Sequence, residues 1–274
     1  MIVEALIYFF VPALVGVLIG IASGLLGIGG GTVMVPIFRL AFGMSATMST
    51  ATSLFAIIPT SISGAISHVK GKTCIPALGI AAGLGGACLS PVGVWLAQLS
   101  PDWLVMLAAA IIIGYSAINM FKKAFKLRPA GQPAAGVDAA APTADDSSLS
   151  RKQLLQGAAI GLVAGLASGY VGVGGGFIMV PLMLSIIGIS MRKASGTSLI
   201  AVMILAIPGV IEQGIIGNIN YLAGIAIVIG TIPGAVIGAR LVTKVPERTL
   251  RLLFGCFLIV AAVMLVLNEA GIFG

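Results

Sequence analysis

Charged side chains are scarce in this chain: Asp, Glu, Lys and Arg make up 8% of its 274 residues, whereas 59% of the residues are hydrophobic. Soluble domains are about a quarter charged and about half apolar, so this composition excludes an ordinary soluble domain. It predicts an all-α polytopic membrane protein embedded in the lipid bilayer. The net charge of +7 is therefore assigned to loops that orient the chain in the membrane, and no nucleic-acid partner is expected.

Metal-ligating side chains are also few. The chain has one histidine, His68, and three cysteines without a CxxC pair, Cys74, Cys88 and Cys256. Without a cluster of His, Cys or acidic residues, a metal-handling or enzymatic function is disfavoured, and we expect no cofactor and no bound metal. No GK[ST] sequence follows the glycine-rich runs, which excludes an ATP-binding loop of the Walker type.

Glycine, in contrast, is abundant and lies in a repeat. The stretch "GLLGIGGGTVMVP" (Gly24–Pro36) returns about 145 positions later as "GYVGVGGGFIMVP" (Gly169–Pro181), and the flanking residues correspond at the same offset. A segment rich in Ala, Pro, Asp and Ser separates the two copies. The predicted organisation is an N-terminal transmembrane repeat (1–127), a flexible cytoplasmic linker (128–150) and a C-terminal transmembrane repeat (151–274).

Each half contains five apolar segments, and the second of each half is short. A helix of 13 residues reaches about 20 Å, against roughly 30 Å of hydrocarbon, which predicts a half-helix or re-entrant arm. The approximate segments are 3–27, 31–43, 47–67, 74–98 and 103–121, then 154–172, 176–189, 195–215, 221–243 and 249–267.

The distribution of Lys and Arg predicts the orientation of the halves. If each half crosses the membrane an odd number of times, every Lys and Arg except Arg39 lies on one side; four crossings per half divide them about evenly. The positive-inside rule favours the odd arrangement. We therefore predict inverted repeats, with both termini extracytoplasmic and the linker in the cytoplasm.

The glycine runs predict helix breaks within the membrane. Such backbone is tolerated only where it is buried in protein or lines a cavity, and broken helices of transporters direct their N-termini at anions. Hydroxyls at the start of each third segment supply further donors for an oxyanion. The alternative is bonding of these hydroxyls to their own helix. For the ladders of small residues before the breaks, helix packing is the favoured role. The predicted substrate-binding residues are Gly29, Gly30, Gly31, Thr32, Thr52, Ser53, Gly174, Gly175, Gly176, Thr197 and Ser198.

A few ionisable or polar side chains are candidates for coupling or anion attraction. His68 corresponds in the repeat to Gln213, which follows Glu212, and both positions lie near segment ends. A proton relay and a role at the membrane interface are both open, the interface being favoured. Arg39 departs from the positive-inside pattern and either attracts anions or extends to the outer headgroups.

The paired "GxGGGxxxVP" motifs, each followed by a "TS" segment, and "HVKG" (His68–Gly71) resemble the sulfite exporter TauE/SafE family. The resemblance covers both halves and implies a secondary transporter of sulfite, organosulfonates or other small anions, with seven or eight transmembrane segments. It favours export by alternating access between the repeats in a bacterial inner membrane. A passive anion channel and an uptake permease for a related sulfur-containing or carboxylate anion are the alternatives. The coupling ion, protons included, and the oligomeric state, with a homodimer as one option, stay open.

Overall fold

The computed structural model describes residues 2–126 and 150–269, with side chains for residues 12–125 and 150–267. The described residues form ten α-helices and no strand, and the helices coincide within a few residues with the ten predicted segments. The all-α fold is therefore confirmed. The helices are α1 (Ile2–Leu26), α2 (Gly31–Phe42), α3 (Ala46–Lys70), α4 (Pro76–Leu99), α5 (Asp102–Lys126), α6 (Arg151–Val171), α7 (Gly176–Leu182), α8 (Met191–Ile216), α9 (Tyr221–Leu241) and α10 (Glu247–Glu269).

Seven of the helices among the described residues, α3–α6 and α8–α10, are each long and apolar enough to cross a membrane. The second helix of each half is shorter, as predicted. Helix α2 has 12 residues, about 18 Å at 1.5 Å per residue. Helix α7 has 7 residues and continues as a five-residue π-helical turn, Met183–Ile187. The predicted linker lies outside the described residues except for Ser150, which caps α6.

Helices α3 and α8 begin with the same arrangement of hydrogen bonds. The Ser45 and Ser190 hydroxyls accept from backbone N–H groups of the first turns of α3 and α8, respectively. The carboxylate that begins the last helix of each half adds a second hydrogen bond. Asp102 accepts the N–H of Ala46 at 3.1 Å, and Glu247 accepts that of Met191 at 3.3 Å. These acceptors satisfy free N–H groups and complement the positive end of the helix dipole.

The third helices of the two halves, α3 and α8, pack against each other as an antiparallel pair. A Cβ placed on Gly64 would lie 2.8 Å from Leu199 Cδ1, and one placed on Gly209 would lie 3.5 Å from Leu54 Cδ1. The two contacts are equivalent under the repeat, because Gly64 corresponds to Gly209 and Leu54 corresponds to Leu199. Ile57 and Val202, which also correspond under the repeat, lie between these contacts along the two helices.

The first helix of each half packs along the fourth helix of the other half. The small-residue ladder of α1 lies against α9, with Gly20 at Thr231 and Gly24 at Ala235. Its counterpart in α6 lies against α4, where a Cβ on Gly165 would meet the Gly86 backbone. The side-chain-free faces let the backbones approach closely. The packing role expected for these ladders is therefore confirmed.

Candidate functional site at the two glycine breaks

The chain reverses between α1 and α2 through glycines in the left-handed region. Gly27, Gly29 and Gly30 have φ of 76°, 80° and 85°, a conformation that side chains other than glycine rarely adopt. The second half repeats this reversal between α6 and α7, with positive φ at Gly172, Gly174 and Gly175. Each glycine run is thus a break in helical structure, as predicted.

The two breaks contact each other through their backbones. A Cβ on Gly31 would lie 2.7 Å from the Val173 carbonyl oxygen, and one on Gly176 would lie 2.9 Å from Ile28 Cα. Both breaks also lie against the crossing of α3 and α8, since Ile57 contacts the Gly31 position. The sequence predicted that the two runs come together, and the structure places them in direct contact.

The start of each third helix packs on the break of the opposite half. Ser198 Oγ donates a 2.7 Å hydrogen bond to the Gly27 carbonyl oxygen, and Ser195 lies against the same glycine. In the other half Thr50 lies against Gly172. Hydroxyl-bearing residues therefore face the breaks, although most of their hydroxyls already have a partner.

Two of the hydroxyls donate to a carbonyl of their own helix. This bond is the alternative to ligand binding that the sequence left open. Thr50 Oγ1 donates to the Thr47 carbonyl at 2.8 Å, and Ser195 Oγ donates to that of Met191 at 3.0 Å. Such bonds satisfy the hydroxyl proton locally. In contrast, Ser53 is fully buried, and its hydroxyl has no hydrogen-bond partner among the described residues.

Thr52 and Thr197 hold the start of the fourth helix of the opposite half. Thr52 Oγ1 accepts the N–H of Asn220 at 3.0 Å, before α9, and Thr197 Oγ1 accepts that of Ile75 at 2.9 Å, before α4. Because their oxygens cap helix starts, these threonines have a structural role that accounts for their recurrence in both halves.

Two residues beside the first break were missed from the sequence. Ser23 lies beside Gly30, and Ser61 Oγ lies 3.5 Å from the position of a Cβ on Gly29. Both side chains, and that of Thr32, are fully buried, and their hydroxyls lack a partner among the described residues. Buried hydroxyls without a partner are uncommon because their desolvation is uncompensated. The spacing of four between Ser53, Ile57 and Ser61 was a signal for one helix face.

The second break is less polar than the first. Phe177 replaces Thr32 and Ala206 replaces Ser61 at the corresponding positions, while Ser168 retains the hydroxyl of Ser23. Ser168 is fully buried. Hydroxyls without a partner are therefore concentrated on the α1–α2–α3 side of the contact, and the two breaks are chemically different.

The N-terminus of α2 adds backbone donors to the first break. The N–H groups of Val33 and Met34 bond to the Gly30 carbonyl, and the Gly30 cap has no side-chain bond. For the N–H groups of Gly31 and Thr32, the described part of the chain provides no acceptor. These amides and the positive end of the helix dipole favour an anion.

His68 is fully buried in the last turn of α3. Its Nε2 lies 2.7 Å from the Gly24 carbonyl oxygen, to which only a protonated nitrogen can donate, and its Nδ1 lies 2.7 Å from Thr73 Oγ1. Gln213 is similarly buried, and its Oε1 accepts from Asn218 Nδ2. Both side chains therefore join neighbouring segments near helix ends, and the interfacial role and the proton relay stay predictions.

The other two charged candidates lie away from the breaks along the helices. Arg39 is in the last turn of α2, at the opposite end of that helix from Gly31. Glu212 is partly exposed near the end of α8, next to Gln213. Neither position brings a charge to the contact between the breaks.

The sequence of the chain also matches a known protein family. The sequence profile of the family described as sulfite exporter TauE/SafE matches residues 12–265. The chain belongs to the sulfite exporter TauE/SafE family. It is accordingly a membrane transporter and an integral membrane protein.

Proteins similar in sequence to this chain carry general names. The probable membrane transporter protein YunE of Bacillus subtilis is 27% identical over 94% of this chain and 97% of its own length. YdhB of the same organism is 28% identical over 87% and 92%, and a probable membrane transporter protein of Haemophilus influenzae is 28% identical over 93% and 97%. No solved structure matches the chain.

Proposed function

We propose that this TauE/SafE family member is a secondary transporter that moves a small oxyanion, sulfite or an organosulfonate, at the contact between the two glycine breaks. One observation carries the proposal: buried hydroxyls and α2 amides that have no partner among the described residues lie together where the breaks touch. An oxyanion accepts several hydrogen bonds at once, so it is the ligand class that this set of donors suits.

The donors at the first break are neutral, which suits a transporter. Hydroxyls and amides replace part of the hydration of an anion without holding it as tightly as a buried guanidinium would. The anion is therefore bound briefly and released. The family resemblance favours export, driven by an ion or substrate gradient with protons as one candidate. Uptake of a related sulfur-containing or carboxylate anion, and passive conduction, are the competing functions.

We further propose that the halves are inverted, with both termini outside a bacterial inner membrane. The antiparallel contact of α3 with α8 supports this arrangement, since equivalent helices of inverted repeats run in opposite directions. The clustering of cations supports it too. Arg192, at the start of α8, donates to the Val245 carbonyl after α9, and Lys70 shares a cavity with Arg240.

Cysteine labelling tests this orientation. In a variant without Cys74, Cys88 and Cys256, single cysteines at Ser100 and Asn218 should react with an impermeant maleimide added outside cells, whereas one at Lys72 should react only after permeabilisation. Ser100 follows α4 and Asn218 precedes α9, so inverted repeats place both outside. Labelling of Asn218 only from the cytoplasm would exclude inversion.

Flux in proteoliposomes tests transport. Wild-type protein should move sulfite with a rate that saturates, whereas an ohmic current at high rate would identify a channel. In the double variant Ser23→Ala, Ser61→Ala, we expect KM for sulfite to rise about tenfold, since two neutral hydrogen bonds at about 0.5–1.5 kcal/mol each are lost.

Ser90→Ala is the matched control for this double variant. Ser90 is also fully buried and its hydroxyl also lacks a partner among the described residues, but it lies in α4 near Gly209. Its removal should change KM less than about twofold. An equal KM in the double variant and the control would exclude the first break as the site.

A further inference from the structure

A cavity of about 570 Å³ lies at the ends of α3 and α9, apart from the glycine breaks. Two cations, Lys70 and Arg240, line it together with three hydroxyl-bearing residues, Ser63, Ser67 and Thr243. We propose that this cavity binds a small oxyanion and delivers it to the first break. The delivery step rests on the proposed transport function, whereas the binding step does not.

The charges in the cavity are not neutralised by acidic side chains of the described residues. Asp102 bonds to the start of α3, at the opposite end of that helix, and Glu247 pairs with Arg251. Lys70 and Arg240 together supply ammonium and guanidinium donors to the same space. An oxyanion that enters is thus attracted by two positive charges, and Arg240 offers it a two-pronged set of donors.

Two of the three hydroxyls in the cavity bond to the backbone, and the third is left to bind a ligand. Ser63 Oγ donates to the Ile232 carbonyl at 2.8 Å, and Thr243 Oγ1 donates to that of Arg240 at 3.2 Å, so both stabilise the wall. Ser67 lies one turn before Lys70 on the same helix, and its hydroxyl is available to a bound anion. The binding set is therefore Ser67, Lys70 and Arg240.

The repeat provides an internal comparison for the contact between α3 and α9, here called the α3–α9 seam. The equivalent contact in the repeat is the seam between α8 and α4. There Ile215 replaces Lys70, Glu212 replaces Ser67 and Trp95 replaces Arg240. Cations are favourable at the C-terminal end of any helix, so helix stability alone would favour them at both seams. The pairing of cations with a cavity occurs at the α3–α9 seam, and its counterpart carries an acid and apolar groups.

Hydroxyls continue from the cavity toward the first break. Thr60 Oγ1 and Thr231 Oγ1 are 2.6 Å apart across the seam between α3 and α9, and Ser61 follows beside Gly29. At the equivalent positions of α8 and α4 stand Leu205, Gly86 and Ala206. Hydroxyl-bearing side chains thus lie between the cationic cavity and the first break, whereas the three equivalent positions of α8 and α4 carry none.

Anion binding to purified protein in neutral detergent tests the cavity without requiring transport. Sulfite and sulfate are titrated into wild type and into the double variant Lys70→Gln, Arg240→Gln by calorimetry. We expect Kd to rise at least about tenfold in the variant, which loses two charge-assisted partners. The charge-conserving variant Lys70→Arg should keep Kd within about threefold, since the positive charge is retained.

The double variant Lys72→Gln, Lys244→Gln is the control. It removes the same charge from two exposed lysines that do not line the cavity, so Kd should change less than about twofold. Equal effects in the two double variants, or no saturable binding of either anion to wild type, would overturn the inference. Thermal denaturation that matches wild type verifies that each variant is folded.

Lipid nanodiscs distinguish a free anion from an anionic headgroup. If phosphatidylglycerol headgroups compete for the cavity, replacing a quarter of the phosphatidylcholine by phosphatidylglycerol raises Kd of wild type and not that of the cavity variant. If only free anions enter, the lipid changes both alike. Loss of binding in the cavity variant, with no sulfite flux by wild type, would refute the transport proposal and leave the cavity assignment standing.

Discussion

Replacing Gly31 or Gly176 by alanine should lower sulfite flux more than tenfold while the protein still inserts in the membrane. At Gly31 the new Cβ would lie 2.5 Å from Ile57 Cδ1 and 2.7 Å from the Val173 carbonyl oxygen. At Gly176 it would overlap the Gly27 carbonyl oxygen. The breaks must then separate, and a displacement of about 1 Å can cost about a hundredfold in rate when donors must converge on one ligand. Flux is measured in proteoliposomes at matched protein content.

Gly43→Ala is the control for this pair. Gly43 ends the same helix that Gly31 begins, and no heavy atom lies within 4 Å of its Cβ position. Its φ of 60° costs an alanine about 1 kcal/mol but separates no backbone contact. Flux should therefore stay near wild type in Gly43→Ala. Unaffected flux in both Gly31→Ala and Gly176→Ala would show that the breaks serve only to pack the two halves together.

The second large effect is expected on stability, at the ladders between the halves. A Cβ on Gly161 would overlap the Ala82 carbonyl oxygen, and one on Gly230 would overlap that of Ala13. Because backbone atoms cannot move aside as a flexible side chain can, Gly161→Ala and Gly230→Ala should each destabilise the fold by about 3 kcal/mol. The midpoint of thermal denaturation in detergent should fall by about 6–12 °C.

Gly114→Ala separates this packing effect from the helix propensity of glycine. Gly114 lies within α5, and its Cβ position has no heavy atom within 4 Å. Alanine is the better helix former by about 1 kcal/mol, so the midpoint should stay constant or rise slightly. If all three variants denatured at the same temperature as wild type, close backbone packing would not be what holds the halves together.

The ten helices could be predicted well from the sequence, because the hydropathy pattern of one half marks helix boundaries that the other half repeats. It also predicted that the two glycine runs meet. It did not reveal what Thr52 and Thr197 do, since their partners, Asn220 and Ile75, belong to the other half and no local pattern links them. Ser23 and Ser61 were missed for a related reason. Isolated serines in apolar helices are common, and only tertiary packing shows which of them lack a partner.

The crosswise pairing of the halves has a consequence for biosynthesis. The glycine face of α1 packs on α9, which leaves the ribosome roughly 200 residues later, or on the order of 10–40 s at about 5–20 residues per second. During that interval α1 must be held by lipid or by the insertion machinery. Helix α6, in contrast, finds α4 already synthesised. The nascent chain therefore pairs α4 with α6 before it can pair α1 with α9.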